Sequence, residues 1–126
     1  FKNVGFHLGQ NDLKKNKKKM DLNKKIVFGI TCHNSLSLAK KAILLDSTYV
    51  AFGAFFPTKT KKVKYVADKN ILKKAKKLNT KIVAIGGITN KNYMDLLKFG
   101  ADFIAISSFV WKNKEFTPLE AIKLFK

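Results

Sequence analysis

The sequence predicts an α/β fold, a (β/α)8 TIM barrel represented by its C-terminal part, with about five βα units present. Three observations lead there. Short apolar runs alternate with segments of helical spacing along the whole chain. The turns best suited to hold a phosphate follow the last two strands, where a barrel carries its phosphate site. No G-x-G-x-x-G follows the first strand and no G-x-x-x-x-G-K-[ST] occurs, so the common nucleotide-binding open sheets lose their main signal.

The expected strands are residues 4–8, 26–30, 49–52, 81–85 and 103–106, each short and rich in β-branched or aromatic residues. Helical spacing fills the gaps: a Lys-rich segment over 13–20, then 35–45, 70–78, 90–99 and 117–125. In 35–45, Leu36, Ala39, Ile43 and Leu44 share one side while Lys40 and Lys41 take the other, the stripe of a helix that covers a sheet on one face. Ile71, Leu72, Ala75 and Leu78 repeat the stripe, as do Tyr93, Leu96 and Leu97. Asn34, Ser35, Asn90 and Thr117 are N-cap types at the helix starts, and Gly100 stands where a left-handed C-cap belongs. Strict βα alternation with short connections requires a parallel sheet.

Composition narrows the class. The 126 residues are 46% hydrophobic, with eleven Phe and two Pro, a packed core rather than a disordered tail, and one domain over 1–126 is expected. No apolar run reaches the roughly 18 residues needed to span a bilayer. No membrane partner is expected, and a cytoplasmic location is; the single Cys32 fits a reducing compartment. The net charge of +18 comes from 26 Lys and no Arg, the residue used for bidentate base reading, so no nucleic-acid partner is expected. A uniform Lys bias reads as coding-sequence composition, although a small phosphorylated substrate would profit from the field.

Several groups at strand ends could carry chemistry. Pro57-Thr58-Lys59-Thr60-Lys61-Lys62 follows the third strand with two hydroxyls and three ammonium groups, suited to several phosphate oxygens and to the negative charge of a leaving diphosphate. A solvated loop in a Lys-rich chain has the same composition. Gly86-Gly87-Ile88-Thr89 allows close backbone approach to an anion, and Ser107-Ser108 follows the next strand; each turn is also common for steric or capping reasons alone. Gln10, Asn11 and Asp12 end the first strand with hard oxygen donors that suit Mg²⁺. His7 and His33 are acid–base candidates by chemistry, although a His beside a strand is more often a hydrogen-bonded packing residue. Of Thr31, Cys32 and His33, the Thr31 hydroxyl is the better functional candidate, because Cys32 has no partner pattern of a nucleophile.

Together these stretches resemble the thiamine phosphate synthase family. His7-Leu8-Gly9-Gln10 with Asp12, Gly29-Ile30-Thr31-Cys32-His33, Phe56-Pro57-Thr58-Lys59-Thr60-Lys61-Lys62, Ala84-Ile85-Gly86-Gly87-Ile88, and Gly100-Ala101-Asp102 with Ile106-Ser107 occur in the family's order over nearly the whole chain. The resemblance implies a barrel transferase that joins a pyrimidine methyl diphosphate to a thiazole phosphate and releases diphosphate with Mg²⁺ as cofactor. It implies that diphosphate leaves first, giving a pyrimidine cation that the thiazole nitrogen captures. On that resemblance Asp12 is a metal ligand and Thr31 stands at the family's Ser position near the pyrimidine and diphosphate. Thr58 and Thr60 are hydroxyl donors, Lys61 in preference to Lys62 is the charge on the leaving group, and Gly87, Ile106 and Ser107 cradle the thiazole phosphate. The catalytic pair is then Lys61 and Thr31, the partners are small phosphorylated substrates, and a homo-oligomer is compatible.

The sequence also departs from the family. Its Gln-Leu-Arg-x-Lys strand and Asn-Asp pair have no counterpart here and are expected upstream of Phe1, so the chain, a partial barrel without the first strands, is expected to be a fragment of a longer protein. Ala54 replaces a usual Pro, and Asp46-Ser47-Thr48 replaces Gly-Ala-Asp. Two other functions stay open: a thiazole tautomerase-like enzyme that needs no metal and uses a His base, and a non-catalytic half-barrel that binds phosphate.

Overall fold

The computed structural model describes residues 4–16, 26–57 and 66–126. They form one five-stranded sheet: β1 (Phe6–Leu8), β2 (Phe28–His33), β3 (Tyr49–Phe52), β4 (Lys81–Ile85) and β5 (Phe103–Ala105). All four pairings are parallel, and the strands lie side by side in chain order. Right-handed crossovers between sequential parallel neighbours carry their helices to the same face of the sheet. The order contains no reversal, so the described sheet lacks the switch point of a doubly wound fold.

The helices are α1 (Gln10–Asn16), α2 (Leu36–Ile43), α3 (Asn70–Ala75), α4 (Tyr93–Lys98), α5 (Ser108–Trp111) and α6 (Pro118–Lys123), with a 3₁₀ turn at Lys76–Leu78 after α3. The core lies between helices and sheet. Phe28, Ile30 and Cys32 of β2, Val50 and Phe52 of β3, and Ile82 and Ala84 of β4 are buried against Ala39, Leu72, Ala75 and Leu96. Each large side chain buried this way contributes about 1.5–3 kcal/mol. Because strand side chains alternate, the residues between them, Thr31, Tyr49, Val83 and Phe103, face the other way. That second face is far less covered: Phe103 is 55% exposed.

Local chemistry explains the boundaries. The Ser35 hydroxyl accepts from Leu38 N at 3.2 Å and starts α2. Thr117 and Glu120 form a reciprocal capping box with Pro118 at the first position of α6. Gly100, at φ 113°, closes α4 through Gly100 N to Leu97 O and Ala101 N to Leu96 O. Asn34 does not cap; its Oδ1 accepts from Asp68 N and ties β2 to the approach of α3. The cap of α4 is Asn92 rather than Asn90.

Two expected elements moved. The second strand is shifted from 26–30 to Phe28–His33, because its end is set by pairing with β3 through Thr31 and His33, across a bulge at which His33 turns to φ 51°. An apolar run cannot reveal that partner. The first helix begins at Gln10, not at residue 13, which puts Asp12 in its first turn; the expected extension over 17–20 lies outside the described residues. α5 was not expected, being too short to show a period.

Candidate functional site

The carboxyl ends of β3, β4 and β5 meet at one place. After β4, Gly86 and Gly87 adopt φ 94° and 66°. A Cβ on Gly86 would stand 2.3 Å from Ala54 Cβ, and one on Gly87 2.5 Å from the Pro57 carbonyl oxygen. The β3 loop is laid against this turn by Phe55 N donating to Ile85 O and Phe56 N to Gly86 O, both at 3.2 Å. Asn92 fixes the turn from below: its Oδ1 accepts from Thr89 N at 2.8 Å and its Nδ2 donates to Gly87 O at 3.1 Å. Phe55, Phe56 and Pro57 of the β3 loop are therefore neighbours in space of the Gly86-Gly87 turn, although Pro57 and Gly87 are 30 positions apart in the sequence.

A cavity of about 460 Å³ opens beside them, bordered by Pro57, Gly87, Thr89, Ser108, Phe109 and Lys112. Ser107 is the N-cap residue of α5, and its carbonyl accepts from Val110 N and Trp111 N. The first backbone N–H groups of a helix have no acceptor within it, and Ser108 and Phe109, which open α5, border the cavity. Lys112 adds positive charge at the rim. Ile106 and Ser107 lead into the cavity along the chain, and Ser108, the next residue, lines it. Thr58, Thr60 and Lys61 lie outside the described residues, directly beyond Pro57.

A second polar group lies on the open face of the sheet. His7 on β1 stands between Thr31 Oγ1, 2.7 Å from its Nε2, and the Tyr49 hydroxyl, 3.1 Å from its Nδ1. The His7 and Tyr49 rings are stacked with centroids 5.7 Å apart. Gln10 donates from Nε2 to the Thr31 carbonyl, so the start of α1 is held against β2. Burial pushes the Tyr49 phenol above its ordinary range. Sequence reasoning singled out His7, Thr31 and Ser108 but missed Tyr49 and Asn92. The pairing of Gly29 with a bulky residue on the next strand was the signal for Tyr49, and it is readable only once the register is known.

Cys32 is fully buried, with Sγ donating to Ile30 O at 3.4 Å. Desolvation pushes its thiol up to about 12, opposed by a backbone hydrogen bond from Ala51, so it has no nucleophilic form near neutral pH. Asp12 accepts from Gly9 N at 2.8 Å through Oδ2, half of a capping box at the start of α1. Among the described residues no three His, Cys, Asp or Glu side chains gather into a ligand set. An exposed carboxylate such as Asp12 suits Mg²⁺, which takes one or two protein carboxylates and completes its octahedron with water and phosphate. It does not suit an all-protein cage of the structural zinc kind.

A singly wound parallel sheet with a cavity at its strand ends defines an α/β protein that carries its candidate site at the carboxyl edge of the sheet. The family model described as thiamine monophosphate synthase matches residues 1–110. The chain belongs to that family. It is 53% identical over 123 residues to the thiamine-phosphate synthase of Pelagibacter ubique, covering 97% of this chain and 59% of that protein. It is 41% identical over 110 residues to the one of Rhodospirillum centenum, covering 86% and 53%. The solved structure of thiamine phosphate pyrophosphorylase from Pyrococcus furiosus superposes with a TM-score of 0.76 at 27% identity, over 96% of this chain and 56% of that one. A structure titled "Native KDPGal structure" shares the fold, with a TM-score of 0.58 at 16% identity, over 79% of this chain and 48% of that one. The chain thus spans between half and three fifths of the length of these relatives. Among the described residues no helix is long and apolar enough to cross a membrane.

Proposed function

We propose that this chain is the phosphate-gripping part of a thiamine phosphate synthase. In this reading residues 1–126 form one domain, a wall of a (β/α)8 barrel, and the complete enzyme joins 4-amino-2-methyl-5-pyrimidinylmethyl diphosphate to thiazole phosphate and releases diphosphate. The observation that carries it is the meeting of the Gly86-Gly87 turn with Pro57 and Ser108 around one cavity, in a chain of this family. Barrel closure is supported by the exposed face that bears His7, Thr31, Tyr49 and Phe103, since parallel sheets bury both faces.

The residues divide the work by charge. Cleavage of the pyrimidine methylene C–O bond leaves the electron pair on the diphosphate oxygen, and the ring carries the cation until the thiazole nitrogen supplies a new pair. Thr58 and Thr60 donate hydrogen bonds to the departing diphosphate, and the Lys61 ammonium meets the charge that develops on it. Thr31 holds the same group from β2. Backbone N–H groups at Gly87, Ile106 and Ser107 hold the phosphate of the thiazole so that its nitrogen lies in line. Asp12 would hold Mg²⁺, which supplies charge neutralisation to the diphosphate when bound. A cytoplasmic location accords with the lone reduced thiol of Cys32.

The test is product formation by the intact protein from both phosphorylated substrates, with and without Mg²⁺. Metal-dependent release of diphosphate with formation of thiamine phosphate is expected. Binding of thiazole phosphate with no product would favour a non-catalytic phosphate binder, and metal-independent tautomerisation of a thiazole phosphate would favour the tautomerase-like alternative.

A further inference from the structure

The His7 imidazole joins side chains from two other strands, and the arrangement is imposed by register. His7 lies opposite Gly29, and Gly29 lies opposite Tyr49. With no side chain at Gly29, the Tyr49 ring reaches across β2; a Cβ there would stand 2.0 Å from the ring carbon Cζ. The ring arrives stacked on His7 with its hydroxyl 3.1 Å from Nδ1, while Nε2 lies 2.7 Å from Thr31 Oγ1.

A neutral imidazole carries one N–H and one lone pair, so two tautomers fit these distances and reverse every proton in the chain. With Nδ1–H, His7 donates to Tyr49 and accepts the Thr31 proton, leaving Thr31 with only lone pairs to offer. With Nε2–H, Tyr49 donates to Nδ1, His7 donates to Thr31 Oγ1, and the Thr31 proton is released toward the ligand. Only the second form stabilises an anionic oxygen. A phenol O–H is a stronger hydrogen-bond donor than acceptor, so the Tyr49 hydroxyl, 3.1 Å from Nδ1, favours the form in which it donates to that nitrogen.

We propose that His7 is a positioning residue, held by Tyr49 in its Nε2–H form so that the Thr31 hydroxyl is presented as a hydrogen-bond donor to a phosphate oxygen. The identity of the anion, diphosphate, rests on the synthase reading; the tautomer does not.

¹⁵N NMR of the intact protein with labelled histidine reads the tautomer directly. A protonated Nε2 and an unprotonated Nδ1 on His7 are expected near neutral pH; the Nδ1–H form or the imidazolium would overturn the proposal. Tyr49→Phe removes the selecting donor, so the ring signals should move toward a tautomer mixture and the Kd for inorganic diphosphate with Mg²⁺ should rise roughly threefold to tenfold. Unmoved signals would overturn it. His7→Gln keeps an N–H near the Nε2 position and should bind diphosphate more tightly than His7→Leu, whereas equal affinities would count against positioning. If wild-type protein shows the Nε2–H form but no diphosphate binding, the synthase reading fails and the tautomer assignment stands.

Discussion

Gly87 and the Pro57 carbonyl are in contact that no side chain could share: a Cβ at residue 87 would lie 2.5 Å from Pro57 O and 2.7 Å from Phe56 O. The turn after β4 thereby holds the β3 loop at Phe56 and Pro57. The structural demand on glycine and the proposed phosphate-binding role coincide at this residue.

Gly87→Ala should therefore destabilise the protein by about 1–3 kcal/mol, combining a left-handed φ of 66° with a backbone clash. It should also weaken phosphate binding by displacing the Pro57 stem. Denaturant unfolding and titration with inorganic phosphate check both; a variant as stable as the wild type would show that the loop shifts freely.

The Cys32 thiol should resist alkylation in the native protein at about pH 8. Its burial and a pKa pushed up to about 12 leave almost no thiolate to react. Labelling should become rapid only after unfolding, which mass spectrometry reads directly. Rapid labelling of folded protein would contradict the buried position.

Asp102 should make stability fall in acid. Its Oδ1 accepts from Lys76 Nζ at 2.8 Å and its Oδ2 from Ile82 N at 2.8 Å; the Lys76 hydrogen bond is the largest of the causes that hold its carboxyl below the ordinary value of 3.8. A folded pKa below the unfolded one means that the contribution is present above about pH 4 and is lost as pH falls through the folded value. Since Lys76 is half exposed, about 0.5–1 kcal/mol is expected. Asp102→Asn should flatten the acid limb of a stability curve measured between about pH 2 and 7; an unchanged limb would assign it to other carboxylates.

Lys61→Ala and Asp12→Asn should separate the two charges proposed for the leaving diphosphate. Lys61→Ala should lower kcat by on the order of 10²–10³ at saturating Mg²⁺, the usual loss when a group aimed at developing charge is removed. Asp12→Asn should raise the Mg²⁺ concentration needed for half activity while circular dichroism shows the helices intact. Activity of Asp12→Asn with unaltered metal dependence would remove Asp12 from the metal site.

Much of the architecture was legible because it depends on period and punctuation. β3 and β4 coincide with the expected 49–52 and 81–85, since each is an apolar run ended by turn residues. Ser35 and Thr117 cap as expected because capping needs only a hydroxyl and a free N–H three residues on. β2 was displaced because an apolar run does not show where pairing ends, and Asn92 was missed in favour of Asn90 because two Asn residues stand within one turn. At the site, Gly87 and Thr31 were legible as residue types at strand ends, but Tyr49 was not, since its role depends on the space above Gly29, twenty residues away.

The order of the chain by itself determined the alternation of strand and helix, the parallel sheet, the placement of Thr31, Gly86-Gly87 and Ser107-Ser108 at or just beyond strand carboxyl ends, and the family resemblance. These follow from local spacing and steric rules that each segment obeys alone. Tertiary structure alone decided that Pro57 rests on Gly87, that Asn92 rather than a neighbour braces the turn, and that Tyr49, His7 and Thr31 form one hydrogen-bonded chain across three strands. Asn92 acts locally, but the other two are relations between segments distant in sequence, and the register of the parallel ladders brings their atoms together.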